Sequence, residues 1–392
     1  MHRRQFLASA TATSFAMGLP ALAGRRFSPE VSEYFHVAPT RGFVSVVGDG
    51  KWVWKDPPKD QRGYLEPRRY NLKVGIEITG RGNATGIKAT TPAPVQLPEQ
   101  KIERATINKV GCVADFRRLT TEAGQLVMAA PSIAKGQTIS ATANILMTLH
   151  KDYQGFAKDQ FPGKQPKAPK EFAKAYLYES PGIQTRADEV QELTAKVGGQ
   201  IEHPWDKAKA FHGWVWDNIR PRIGPYTSVV AAIRDRVGDC EEHAAVFVAM
   251  CRVSGIPARL VWVPNHNWAE FFLVDESGKG HWIPSHTSAY TWFGWTGAHE
   301  MVLQKGDSIS LPEKRKPQRL MEDWMQWVGT RPEARWWAEL EPLPPAEGED
   351  PGPGARSKNE RGEWVVAGDH KLNAYLRDGK QNSWSLRPAR GN

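Results

Sequence analysis

The stretch Gly238-Asp239-Cys240-Glu241-Glu242-His243-Ala244 places a thiol where a helix should begin. Asp239 suits an N-cap, and Glu242, three residues on, closes a capping box with it. Cys240 then takes the first helical position, where unpaired N–H groups and the positive end of the helix dipole favour a thiolate. Glu241 and Glu242 oppose that charge, weakly if both are solvated. A thiolate nucleophile also needs a proton acceptor within reach. The segment Asn265-His266-Asn267-Trp268-Ala269-Glu270 offers one. Extended spacing puts His266, Trp268 and Glu270 on one face, which makes His266 the candidate base. Spacing alone does not bring it to Cys240. His243, one turn along from Cys240, reads as a packing or capping residue. Cys251 reads as core and Cys112 as structural. His266, His281 and His286 fall close together on extended segments, a conceivable metal set. Nothing around them supports one, and no metal or cofactor is expected.

Several elements must position these groups. Val190, Leu193 and Val197 mark one helix. A second opens at Pro204 and continues through Phe211, Trp214, Val215 and Ile219. A third runs from Asp239 to Gly255, with Ala244, Phe247, Val248 and Cys251 on one apolar face. Extended runs follow at 260–263, 268–274 and 282–284, the last two joined by the hairpin turn Glu276-Ser277-Gly278-Lys279. Upstream, Leu72, Val74, Ile76 and Ile78 alternate with polar residues, as do Ile139, Ala141, Ala143, Ile145, Met147 and Leu149. Short β-prone runs at 102–107 and 126–128 lie between them. This pattern predicts a small β-sandwich.

The chain has 392 residues, 40% hydrophobic and 24% charged, which excludes low-complexity disorder for the chain as a whole. No apolar run of about 18 residues follows the N-terminus, which excludes a polytopic membrane protein. The 16 tryptophans are concentrated between Trp205 and Trp295, as expected for a thick core more than for an aromatic cleft. The formal charge of +9 is scattered apart from Lys314-Arg315-Lys316, and no nucleic-acid-binding motif accompanies it. Met1-His2-Arg3-Arg4-Gln5-Phe6-Leu7, with a weakly apolar run ending in Ala21-Leu22-Ala23, resembles a twin-arginine export signal. The expectation is a mature periplasmic or extracellular chain from about Gly24, with no membrane span after cleavage. Three cysteines make no disulfide framework, and Cys240 and Cys251, about 16 Å apart on one helix, cannot bond to each other. The expected organisation is a signal peptide at 1–23, an irregular segment at 24–65, a β-sandwich at 66–150 and a linker at 151–175. The second domain follows at 176–342, then a Pro/Gly-rich linker and tail at 343–392. No internal repeat is visible.

The order of the motifs is informative: a Cys at a helix start, then Gly255-Ile256-Pro257-Ala258-Arg259, then His266-Asn267-Trp268-Ala269-Glu270, then Trp282-Ile283-Pro284. It resembles the transglutaminase-like superfamily over residues 175–345, and the preceding β-rich segment is similar to the sandwich often found before such domains. The resemblance implies an α+β fold with a papain-like core, a Cys-bearing helix packed on an antiparallel sheet. It implies Cys240 as nucleophile, His266 as general base, and a third catalytic position at His286, where the family has an acid. The implied function is an exported cysteine enzyme acting on amide bonds of proteins or peptides through a thioester, with water or an amine as acceptor. Its substrate could be associated with the cell envelope. The histidine at 286 favours an alternative, a catalytically impaired binding protein of the same fold. Neither Glu270 nor Asp275 is placed by spacing to replace the acid.

Overall fold

In a computed structural model, the described residues are 60–343 except 223, 265, 288–291 and 298–299, together with 356–358 and 364–366. The expected export signal at 1–23, the lead-in before residue 60 and most of the tail lie outside them. Six strands come first: β1 (Gly63–Thr79), β2 (Ala84–Ala93), β3 (Gln100–Val110), β4 (Val113–Thr120), β5 (Ala123–Ile133) and β6 (Thr138–Tyr153). The helical stretch holds α1 (Lys170–Tyr176), α2 (Asp188–Gly198), α3 (Pro204–Asn218), α4 (Val229–Asp235) and α5 (Cys240–Val253), with the two-residue strands β7 (Arg220–Pro221) and β8 (Val237–Gly238) between them. Strands β9 (Ala258–Val263), β10 (His266–Val274), β11 (Gly280–Ser285), β12 (Gln304–Lys305), β13 (Trp324–Gly329) and β14 (Glu333–Pro342) follow. The fold is α+β with mostly antiparallel sheets.

Period-2 alternation does what it should in β1 and β6: Leu72, Val74, Ile76, Ile145 and Met147 are buried. They meet Ile87, Ala89, Leu126 and Met128 of β2 and β5 across one core. One layer is the sheet β14-β1-β6-β3; the other belongs to the longer sheet β11-β10-β9-β12-β5-β2-β13, with β4 also on β5. Two placements differ from the sequence expectation. Residues 324–342, grouped by sequence with the second domain, pair with β2 and β1 of the sandwich. Residues 63–65, grouped with the irregular lead-in, already belong to β1. Alternation marks a strand but carries no information about which sheet receives it.

The two halves of the long sheet join through β12, whose two residues pair with Val261 and Trp262 of β9 and whose Gln304 pairs with Ala123 of β5. So short a ladder is weak, and charge reinforces it. Lys305 Nζ lies 2.7 Å from Glu99 and 2.8 Å from Glu270, while Arg259 lies 2.6 Å from Glu122 and 2.7 Å from Glu270. Each cation is clamped between one carboxylate of the sandwich and Glu270 of β10. The two cations hold Glu270 below the usual carboxylate range against its burial.

Helix α5 is buried from Glu242 to Arg252 on all sides, a deeper burial than the single apolar face implied. It packs on β9 and β10 and against α2, α3 and α4. A Schellman motif ends it: Ile256 N–H donates to Cys251 O and Gly255 N–H to Arg252 O, with Gly255 at φ +75°. Arg252, fully buried, then reaches Ala258 O, Tyr178 O and both oxygens of Asp307. The helix is thus fixed at its C-terminal end, which sets where its N-terminus meets β10.

Glu270→Ala would leave Arg259 and Lys305 close together and short of one buried carboxylate. Urea unfolding should show a loss of about 3–5 kcal/mol, the range for breaking a buried pair on one side. A loss below about 1 kcal/mol, the surface-pair range, would mean the junction does not rest on this clamp.

Candidate active site

The N-terminus of α5 is capped as its sequence implies. The Asp239 carboxylate accepts the Glu241 N–H at 2.9 Å, and Glu242 Oε2 accepts the Asp239 N–H at 3.0 Å. Glycine at 238 makes room for that return: a Cβ there would sit 2.4 Å from Glu242 Cβ. Glu242 Oε1 also accepts from Thr227 N at 2.6 Å and Thr227 Oγ1 at 3.1 Å. Glu242 is therefore a buried structural carboxylate, only 2% exposed, and not the solvated group the sequence suggested. Glu241 is held too, 2.9 Å from Arg319.

These carboxylates change the electrostatics of the thiol. Cys240 is half-buried, and its thiol is pushed well above its ordinary value, first by burial, then by Asp239 and Glu241. A hydrogen bond from the Asn267 backbone N–H to the sulfur works the other way and is outweighed. Burial first, and then the neighbouring Asp239 and Glu241, work against the resting thiolate that the helix start alone suggests. Asp239 itself is pushed up to about 8 by burial and by Glu242 and Glu241.

The contact with Asn267 brings Cys240 to the start of β10, one residue from His266. Among the described residues no hydrogen bond joins the Cys240 thiol to the His266 ring. His266, buried, has its Nε2 3.0 Å from His286 Nε2. The structure therefore brings together the two histidines that the family resemblance selected. His286 is fixed on three sides: its ring stacks on Trp268 at 5.7 Å and 18°, meets Trp292 edge-on at 4.7 Å, and its N–H donates to Trp292 O at 2.9 Å. Beside it, Ser285 Oγ lies 2.9 Å from His212 Nδ1.

The other candidates go elsewhere. His281 lies on β11 against Phe156 and Phe161 and bonds Asp275 at 2.7 Å. It does not join His266 and His286, and no group of three or more metal-ligating side chains is found among the described residues. Asp275 serves that turn and Glu270 the junction clamp, so neither stands in for an acid at His266. His243 is a packing residue as read, its ring nitrogens 2.6 Å from Asp239 O and 2.8 Å from Ile219 O. Cys251 is buried, and the half-buried Cys112 thiol donates to Ser140 O at 3.1 Å. Sequence reasoning passed over Asn267, whose backbone bonds the sulfur and whose side-chain nitrogen and oxygen are buried without a hydrogen-bond partner. Its alternate face on β10 becomes significant only once α5 is known to begin there. From the sequence Trp292 reads as core and Trp268 only as sharing the His266 face; their walling of His286 needed the fold.

Residues 191–292 match the model of the transglutaminase-like superfamily, a segment that contains Cys240, His266 and His286. This part of the chain is a transglutaminase-like domain. A solved structure from Cytophaga hutchinsonii, of a protein provisionally called a cysteine protease, is similar at TM-score 0.48 and 14% identity, over 72% of this chain and 92% of that one. A Parabacteroides distasonis protein, provisionally called a protease, gives TM-score 0.23 and 13% identity, over 57% of this chain and 44% of that one. No curated protein matches the chain.

The raised carboxyl of Asp239 has a measurable sign. Between its ordinary 3.8 and about 8, the folded chain holds a proton that the unfolded chain has lost. Stability should therefore fall as pH rises through that window. Asp239→Asn, which keeps a cap, should flatten the decline between pH 5 and pH 8 in urea titrations. Equal slopes in both proteins would show that the carboxyl is not protonated in the fold.

Proposed function

We propose that the domain is a cysteine enzyme acting on amide bonds of proteins or peptides, with Cys240 as nucleophile and His266 as base. The observation that carries the reading is a succession of two contacts. A thiol at the first position of α5 accepts the amide N–H that follows His266, and His266 lies 3.0 Å from His286. If His266 donates its Nε2 proton to His286, its Nδ1 keeps the lone pair that can accept the thiol proton. The sulfur then attacks the amide carbonyl, and the proton passes from His266 to the departing amine. A thioester remains, resolved by water in a peptidase or by an amine in a transferase. The Cys240 backbone N–H is one donor for the developing oxyanion. The buried Asn267 carboxamide supplies polar atoms next to the same centre.

His286 orients the base but brings no charge to the imidazolium that forms. A carboxylate at such a position stabilises that cation as well as fixing the tautomer. The raised thiol and the missing acid favour a second reading, a protein of this fold that binds its polypeptide without cleaving it. We further propose, on the twin-arginine pattern at Arg3-Arg4 and the small residues Ala21 to Ala23, that the chain works outside the cytoplasm. No helix among the described residues is long and apolar enough to cross a membrane.

Two measurements separate the readings. Iodoacetamide labelling of Cys240, followed at the peptide to exclude Cys112, should be slow at pH 7 and climb through pH 9, as expected for a raised thiol. Labelling faster at pH 7 than that of an unfolded cysteine would contradict the protonated resting state. With p-nitrophenyl acetate, a burst of p-nitrophenol should appear, vanish in Cys240→Ala and fall by about 10²–10⁴ in His266→Ala, the usual size of a general-base contribution. His286→Asp should raise the burst rate. No Cys240-dependent burst in either the native protein or His286→Asp would leave the binding reading.

A further inference from the structure

The junction between the two halves carries more negative charge than its cations match. In the clamp described above, Glu99, Glu122 and Glu270 face Lys305 and Arg259, three carboxylates to two cations. All but Glu122 are largely withdrawn from water. A fourth carboxyl, Asp152, stands beside them at the end of β6, and two contacts place it there. His150, two residues earlier on the same face of β6, donates its N–H to Glu99 O at 2.9 Å. Asp152 O accepts the N–H of Thr296, from the segment that leads to β12, at 3.3 Å. Asp152 is thus held between the sandwich and the second domain, with its own surface half-buried.

What faces the Asp152 carboxyl decides its state. Its direct cross-strand neighbour on β1 is Tyr64, whose phenol is held well above its ordinary value by burial and by Asp152, so it brings no charge. Glu99 faces it from the residue before β3, Glu270 from β10 and Lys305 from β12. That lysine is already shared by the two glutamates, at 2.7 and 2.8 Å. The carboxyl accepts from a neutral donor, Gln154 Nε2, at 3.0 Å. Burial, followed by Glu99, pushes it up to about 7, against the pull of Gln154 and Lys305. Protonated, Asp152 adds nothing to the negative surplus. Ionised, it sets four carboxylates against two cations where water screens them little.

We propose that Asp152 is a pH-operated interlock between the sandwich and the transglutaminase-like domain, closed while its carboxyl keeps a proton and loosened when it ionises. Its neighbours come from both sides of the junction: Tyr64 and Glu99 from the sandwich, Glu270, Lys305 and Thr296 from beyond it. Parting the halves rehydrates the carboxyl, which returns it toward its ordinary 3.8. The closed form therefore binds a proton that the open form releases, and opening becomes easier as pH rises from about 4 through 7. The place where it opens is β12, whose two residues alone pair β9 with β5. Release of β12 also frees one edge of Trp262, the cross-strand partner of Asn267 beside the Cys240 sulfur. The interlock itself does not depend on Cys240 being a nucleophile.

The test is amide hydrogen exchange on the full chain between pH 5 and pH 8, read by mass spectrometry and corrected for the pH dependence of chemical exchange. The opening constant of a peptide covering β12, residues 300–307, should rise about tenfold or more over that range, within the one-proton limit of about tenfold per pH unit. A peptide inside β6, residues 139–147, should not rise with it. Asp152→Asn keeps the size of the side chain and an acceptor for Gln154 but cannot ionise, so its β12 should open equally at both ends of the range. Glu99→Gln, which removes the leading like charge, should shrink the rise. A flat profile in the native protein, a parallel rise in β6, or an undiminished rise in Asp152→Asn would overturn the proposal.

Discussion

Glu270 is where the two halves of the molecule are made one. It lies on β10 and is almost wholly withdrawn from water, a costly position for a carboxylate unless two conditions hold. Arg259 of β9 must sit on one side and Lys305 of β12 on the other, and both do. Each cation then has a second carboxylate, Glu122 or Glu99, from the sandwich. The face of Arg259 is also covered by Trp282, 3.8 Å from the guanidinium carbon to the ring centroid. A buried pair is weak evidence for stability, but a set in which two cations each bridge Glu270 to a carboxylate of the sandwich bears on register. Four residues along the same face of β10 stands His266. The clamp that ties the sheets together therefore also fixes the height at which the imidazole meets α5.

The helix end is a compromise between holding the backbone and readying the sulfur. Two carboxyl groups are needed to satisfy the first N–H groups of α5 and to bring in the Thr227 segment. The Cys240 thiol beside them is raised, first by its burial and then by the negative potential of Asp239 and Glu241. One of the carboxyl groups, Asp239, relieves the crowding by tending to keep its proton. The dipole of α5 remains available to an oxyanion, whose charge develops later and at a different atom. On the proposed function, a site arranged in this way would rest with its sulfur neutral and keep its positive potential for a substrate.

What could be read from the sequence was whatever depends on near neighbours. The capping pair Asp239 and Glu242, Pro204 at the first turn of α3, the hairpin turn after Val274 and the alternations of β1 and β6 are set within a few residues, and each stands where it was placed. His266 beside His286 was legible only through the order of the motifs, since the two are twenty residues apart. What failed depended on packing at a distance. Glu242 looks exposed until Thr227 is known to come to it. Residues 324–342 group by sequence with the second domain until β1 and β2 are known to receive them. The thiol looked activated because a helix start is a local feature and desolvation is not.

The histidine at 286 follows from its walls. Trp268 lies flat against it and Trp292 meets it edge-on, and the residue is 2% exposed. An ionised carboxylate in that cage would give up its hydration, and the stacked face of Trp268 would offer it nothing in return. A neutral imidazole is flat, stacks on the indole, and still presents a nitrogen 3.0 Å from His266. The cage thus selects a neutral orienting group, and the same choice withdraws the charge that would stabilise an imidazolium at rest. If Cys240 is the nucleophile proposed above, its raised thiol brings no preformed thiolate to the carbonyl. Proton transfer and attack would then proceed together, and the stabilisation the centre provides would be concentrated in the transition state, where it contributes to rate.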